Sequence, residues 1–161
     1  MKIDKGLLVE QVLAKLKREL KIIQEAATAA HEAATHEQSK AEDQYDTRGL
    51  EASYLAGAQA GRAAELEKQV AYFKFLSLRK FSSEDSISPG ALVEMTFEGR
   101  PSWYFLAAQG GGISVQVGNQ TVQLITPASI LGEALLGKRA GDQVEIESPR
   151  GTREYEIVVV T

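Results

Sequence analysis

Residues 13–34 read LAKLKRELKIIQEAATAAHEAA, with Leu13, Leu16, Leu20, Ile23, Ala27, Ala30 and Ala34 at alternating steps of three and four. That spacing is the heptad seam of a coiled-coil helix. A second seam, Ala52, Ala56, Gln59, Ala63, Leu66, Val70 and Phe73, follows the same rhythm. Both stretches are rich in Ala, Glu, Lys and Gln and poor in β-branched residues, which favours helix locally. Only a short polar connection separates them, so each seam has the other as its simplest partner, in an antiparallel hairpin. Leu and Ile, with Phe73 opposite, fill the end near the termini, and alanine fills the seam toward residues 34 and 52. Small seam residues let backbones approach, so the hairpin is expected to thin toward its tip. Thirty helical residues at about 1.5 Å each make a rod of roughly 45 Å.

The connection, KAEDQYDTRGLE over residues 40–51, places Glu42, Asp43, Asp46 and Glu51 at that tip. Two starts for the second helix fit. Ser39 as N-cap with Glu42 three residues on is a capping box; alternatively Asp46 caps a later start and 37–45 form an open loop. Gly49, Gly57 and Gly61 weaken the helix by up to about 1 kcal/mol each relative to alanine. Carboxylate oxygens are hard ligands suited to magnesium, which takes one or two protein carboxylates and keeps other positions for water or phosphate. The tip acids could therefore complete a metal site in a partner, activating water in a two-metal manner. They could equally be acids placed favourably against a helix dipole. The residues alone leave both readings open.

Charge is polarised. Residues 2–21 carry six basic side chains (Lys2, Lys5, Lys15, Lys17, Arg18, Lys21) against Asp4, Glu10 and Glu19, whereas residues 37–51 carry five acids against Lys40 and Arg48. The net charge of −4 argues against a general nucleic-acid coat. With no cysteine, disulfides, thiolate metal sites and cysteine nucleophiles are excluded. No leader segment and no spanning apolar run is visible, so a cytoplasmic protein without membrane association is expected. His31 and His36 are five apart, off the ligand spacing on a helix face, and read as solvent-facing. Gly110-Gly111-Gly112 lacks a following Lys-Ser/Thr pair, so it reads as a turn and not as a phosphate loop.

The pattern changes at residue 82. Residues 81–90 read as a polar linker with breakers, separating a finger at 1–80 from a second domain at 91–161. Strand-like runs occupy 91–97, 103–107, 113–117, 121–125, 143–147 and 154–160, separated by turn signals. One short helix is expected over 127–136, with Thr126 as N-cap, Pro127 at its first position and Gly137 past its end. The fold class is α+β: a helical hairpin, then an antiparallel sheet with one helix on a face.

The run from Ser129 to Lys138, followed by Ala140-Gly141-Asp142 and then by Pro149 to Ile157, resembles the C-terminal signature of Gre-type bacterial transcript cleavage factors. The order of hairpin, linker and sheet domain is similar too. The resemblance implies an FKBP-like C-terminal domain that docks on RNA polymerase near its secondary channel. It implies a coiled coil that enters the channel, and tip carboxylates that help hold a Mg2+ shared with the polymerase during cleavage of a backtracked RNA 3′ end. Such a protein is an accessory factor and not itself an enzyme, with no cofactor of its own, and a monomer is expected. Gly61-Arg62 matches the family's Gly-Arg, and counting back from it makes Glu42 and Asp46 the expected metal-holding pair, with Asp43 third and Glu51 fourth. Lys15, Lys17, Arg18 and Lys21 become a basic base facing RNA or polymerase. The tip departs from the family's Asp, Glu, Asn and Tyr pattern, and Ser129-Ile130 stands where the family has Ser-Pro. Channel occupation without cleavage is therefore kept beside cleavage. An FKBP-like prolyl isomerase with a helical arm and a dimerising coiled-coil adaptor are the readings from other classes; sparse aromatics weigh against the first, and polar Gln59 in the seam against the second.

Overall fold

Two helices open the chain, α1 (Lys5–Thr35) and α2 (Arg48–Lys74), followed by β1 (Leu92–Phe97), β2 (Arg100–Leu106), β3 (Ser114–Val117), β4 (Gln120–Ile125), α3 (Ile130–Leu135), β5 (Gln143–Ser148) and β6 (Gly151–Val160). The structure is a computed structural model and describes residues 2–35 and 47–161. These fall into two units: Leu13–Lys74, and Met1–Val12 together with Phe75–Thr161.

In the helical unit the heptad seams are the packed faces. Leu16, Ala30, Ala63, Leu66 and Phe73 are buried, and Leu13, Leu20, Ile23, Ala27, Ala56, Gln59 and Val70 are half-buried. Glu19 meets Arg62 at 2.7 Å, whereas Thr28 and His31 share a groove with Ser53 and Ala56, so the helices run antiparallel. The Arg62–Glu19 pair sits just before seam residues Ala63 and Leu20. Gln24 and Glu67, joined by a 3.1 Å hydrogen bond, sit just after Ile23 and Leu66 on the other flank. Both pairs are exposed and add little stability; the seam holds the hairpin. A Cβ at Gly57 or Gly61 would meet nothing within 4 Å. Gly57→Ala with Gly61→Ala is accordingly expected to raise the unfolding free energy of the helical unit by about 1–2 kcal/mol, measured by urea titration of helical CD.

Thr47 lies outside the helix immediately before Arg48, so α2 does not run unbroken from a start at Ser39. Ser39, Glu42 and Asp46 themselves lie outside the described residues.

The sheet unit has strand order β3-β4-β2-β1-β6-β5. The sheet is mixed, which corrects the antiparallel expectation: β2 and β4 pair in parallel, from Trp103 opposite Val122 to Leu106 opposite Ile125. A parallel neighbour needs a crossover of about a dozen residues, and residues 107–119 supply it, with β3 inside it. β3 has only Val115 and Val117 buried and takes the edge. β4 buries Val122, Leu124 and Ile125 and takes the inner place beside β2. The polar run 81–90 is not free of the core either: Phe81 and Ile87 are buried in the same cluster as Val93, Met95, Leu106, Leu135 and Ile157. The other sheet face carries Leu92, Trp103, Phe105, Val122 and Leu124, all buried and matched as cross-strand partners.

α3 is shorter than the expected 127–136, and its N-cap is Ser129 instead of Thr126. Ser129 Oγ accepts from Gly132 N at 3.0 Å and donates to Thr126 O at 2.7 Å. Thr126 therefore supplies a carbonyl to a turn that precedes the helix. Pro127 belongs to that turn, and Ser129 is the residue whose side chain reaches the free N–H groups. Gly137 has φ +78°, as the end of a helix favours.

Burial raises the Tyr104 hydroxyl pKa above the ordinary tyrosine value; nearby Tyr155 adds to this and a hydrogen bond with Ser102 opposes it. A raised pKa gives stability that is present below the unfolded value and lost as pH rises through the folded one. The difference in stability between the wild type and Tyr104→Phe should therefore be constant below pH 10.0 and change in favour of Phe above it. Denaturant midpoints across that range check the sign.

Candidate functional site

Of the tip acids, Glu51 is placed by the structure. It lies in the first turn of α2, exposed, where a carboxylate is favoured by the helix dipole. Thr47 Oγ1 donates to Glu51 Oε1 at 2.9 Å, and Glu51 N donates to Thr47 O at 2.9 Å. One lone pair of this carboxylate is thus turned back on its own helix start, leaving the rest to solvent. Glu42, Asp43 and Asp46 lie outside the described residues. Among the described residues no group of three or more His, Asp or Glu is arranged to hold a metal ion; Glu51 offers one carboxylate.

The basic set is exposed along one stretch of α1: Lys15, Lys17, Arg18 and Lys21. Lys15 and Arg18 are three apart and Lys17 and Lys21 four apart, so each pair stacks on the helix surface. The only acid between them, Glu19, is engaged by Arg62. The result is a cationic band suited to phosphates or to an acidic protein surface.

Two apolar features escaped the sequence reading. Leu50, Tyr54 and Leu55 are 55%, 71% and 53% exposed beside Glu51, and Leu50 and Tyr54 share a helix face. Their signal is register: all three fall outside the seam yet are large. In the sheet unit Ile130 at the start of α3 is 72% exposed. Its neighbour Leu131 packs on the core, so the helix period itself marks Ile130 as outward. His31 is exposed on α1; His36 lies outside the described residues.

A helical hairpin and a mixed-sheet unit with one short helix thus carry a cationic band and exposed apolar side chains. Comparison with known proteins gives the family. A family model described as "Transcription elongation factor, GreA/GreB, C-term" matches residues 82–161. The transcription inhibitor protein Gfh1 of Thermus thermophilus is 30% identical over 159 residues, spanning 94% of this chain and 91% of its own. Transcription elongation factor GreA of Xanthomonas axonopodis pv. citri is 30% identical over 138 residues, spanning 84% of this chain and 81% of its own. The crystal structure of Thermus thermophilus Gfh1 is 23% identical, covers 92% of this chain and 94% of that one, and overlays with a TM-score of 0.39. The chain belongs to the GreA/GreB family of transcription elongation factors, and it is an accessory transcription factor. Among the described residues no helix is long and apolar enough to cross a membrane.

Proposed function

We propose that this chain binds bacterial RNA polymerase and delivers the tip of its hairpin into the enzyme's secondary channel. Two relatives of different effect, an elongation factor and a transcription inhibitor, align with most of this chain. The observation that carries the reading is the extent of these matches, 94% and 84% of this chain, which take in far more than the sheet unit alone. The chemistry of each part fits it. An alanine-filled seam is narrow, the cationic band on α1 favours approach to a polyanionic complex, and acids at the tip suit a site that contains magnesium.

At the tip, Glu42 and Asp46 would hold a Mg2+ shared with the polymerase, with Asp43 and Glu51 beside them. Bound there, the metal would polarise phosphate oxygen and lower the pKa of a water molecule. The chain's own contribution would be to bring carboxylates to that point. Without a cation the acids would be repelled by the phosphates they approach.

The second reading, occupation of the channel without cleavage, is favoured by one observation: the relative that aligns with 94% of this chain is named as an inhibitor. Purified polymerase stalled in a backtracked complex distinguishes the two. Shortened, magnesium-dependent transcripts support cleavage. Bound factor with slowed elongation and unchanged RNA length supports inhibition. Absence of binding sinks both.

Docking by the sheet unit has its own test. Ile130→Asp changes an exposed side chain that is not part of the core and should leave thermal stability within about 0.5 kcal/mol. It is expected to weaken polymerase binding about tenfold or more if this apolar side chain is desolvated at the contact. Unchanged affinity in a co-sedimentation or interferometry titration removes Ile130 from the docking surface.

A further inference from the structure

We propose that the groove between residues 2–6 and 78–81 is a docking site for an acidic peptide segment that carries an apolar side chain. This site is separate from the hairpin tip and does not depend on what the tip does. The groove has a volume of about 460 Å³ and is walled by Lys2, Ile3, Leu78, Lys80 and Phe81, within the usual size range of ligand clefts. Its two sides are far apart in sequence, and Lys5 links them. Lys5 Nζ donates to the carbonyl oxygens of Arg79 and Gly90, the latter at 3.0 Å, and lies 4.9 Å from the centre of the Phe81 ring.

The electrostatics are one-sided. Lys2 and Lys80 are exposed, and no acidic side chain among the described residues pairs with them. Thr161 also lines the groove, so its three lysines, Lys2, Lys5 and Lys80, face the Thr161 main chain and one acidic side chain, Asp4. Asp4 is already used: its Oδ1 accepts from Gly6 N at 2.7 Å and Leu7 N at 3.1 Å, capping α1. Arg79, whose guanidinium stands 4.7 Å from the Phe81 ring centre, is paired with Asp85 at 3.0 Å. Lys5 registers the surplus of positive charge. Burial lowers its pKa first, and the charges of Arg79 and Lys2 lower it further. A carboxylate entering the groove would meet cations without displacing an existing partner.

The walls decide the class of ligand. Leu78 is 37% exposed and lines the groove together with Ile3 and Phe81. Aliphatic surface of this kind suits a Leu- or Phe-like side chain. Nucleic acid would need an open aromatic face for base stacking; Phe81 is 9% exposed and has two cations against its ring. The match is therefore to carboxylates flanking an apolar anchor.

The test is a fluorescence-anisotropy titration of the full chain into labelled acetyl-Asp-Glu-Leu-Phe-Glu-Asp-amide at low ionic strength. Saturable binding is expected. It should weaken about tenfold in Lys2→Glu with Lys80→Glu, equivalent to about 1.4 kcal/mol spread over two rim charges. It should also weaken in Leu78→Ser, and when the peptide's Leu-Phe is replaced by Gly-Gly. The proposal is overturned by no saturable binding by a wild type whose CD spectrum is folded, by equal affinity in the Lys2/Lys80 double variant, or by an RNA hexamer that displaces the peptide at equal concentration. Equal binding of the Gly-Gly peptide overturns it too, because the contact would then be charge alone.

Discussion

Glu42→Ala with Asp46→Ala is expected to reduce magnesium-dependent transcript shortening by at least about 100-fold while leaving polymerase binding within a few-fold. The magnitude follows from the role proposed for the pair. Loss of a group that merely supports a metal ligand already costs about 10–100-fold, and here the ligands themselves are removed. Binding is spared because the cationic band on α1 and the sheet unit are untouched. Glu51→Gln should cost far less. Its carboxylate already accepts from the Thr47 hydroxyl at the start of α2, so one of its acceptor positions is taken. A double variant that cleaves as well as wild type would exclude Glu42 and Asp46 as the metal-holding pair. If wild type binds and slows elongation without shortening RNA, the same variant measures instead whether the acids contribute to inhibition.

Gly132→Ala is expected to give the largest loss of stability of any single methyl addition in the sheet unit. A Cβ built on Gly132 would lie 1.8 Å from the carbonyl oxygen of Thr126 and 2.7 Å from its carbonyl carbon, both main-chain atoms that no rotamer change moves. The same turn is fastened by Ser129, whose hydroxyl bridges Thr126 O and Gly132 N. Relief of the clash must open this turn or unseat α3, whose Leu135 is fully buried in the core. Overpacking usually costs about 1–3 kcal/mol and sometimes more; a backbone collision puts this position at or above about 3 kcal/mol. For a unit of this size that corresponds to a fall in Tm of roughly 10 °C or more. Ser129→Ala, which removes the cap and leaves the space, should cost only about 1 kcal/mol. Differential scanning calorimetry of the two variants separates them, and a Gly132→Ala protein within 2 °C of wild type by that measurement would contradict the packing described above.

The hairpin was legible because a heptad seam is a local property: Leu16, Leu66 and Phe73 are buried where the spacing put them. The strands were legible for the same reason, since alternation and turn residues act over a few positions. The neighbour of each strand was not. β4 and β3 look alike in sequence, and what gives β4 the inner position is the extra apolar area of Leu124 and Ile125, which counts only once β2 lies beside them. The start of α3 was misplaced because Thr126-Pro127 carries a stronger local helix-start signal than Ser129-Ile130. The tertiary turn around Gly132 decides between them. Residues 81–90 read as a polar linker because Phe81 and Ile87 are two apolar anchors among serines and acids, too few to make a period. In the candidate site, the basic band could be read directly from composition, whereas the start of α2 at Arg48, which puts Glu51 on its first turn, lies later than either expected start. Glu42, Asp43 and Asp46 remain the residues on which the tip proposal turns, and they are tested by substitution.

The sheet unit is assembled from both extremes of the chain: residues before Leu13 belong to it, and β6 (Gly151–Val160) lies between β1 and β5 rather than at an edge. On a ribosome this imposes an order of events. The seams of α1 and α2 are complete once Lys74 has emerged, so this part can form during synthesis. The residues before Leu13, by contrast, belong with strands still being made, and β1 lacks one of its two partners until β6 arrives. The emergence of β6 is then the event that closes the sheet, and a nascent chain arrested before it would present an open β1 edge.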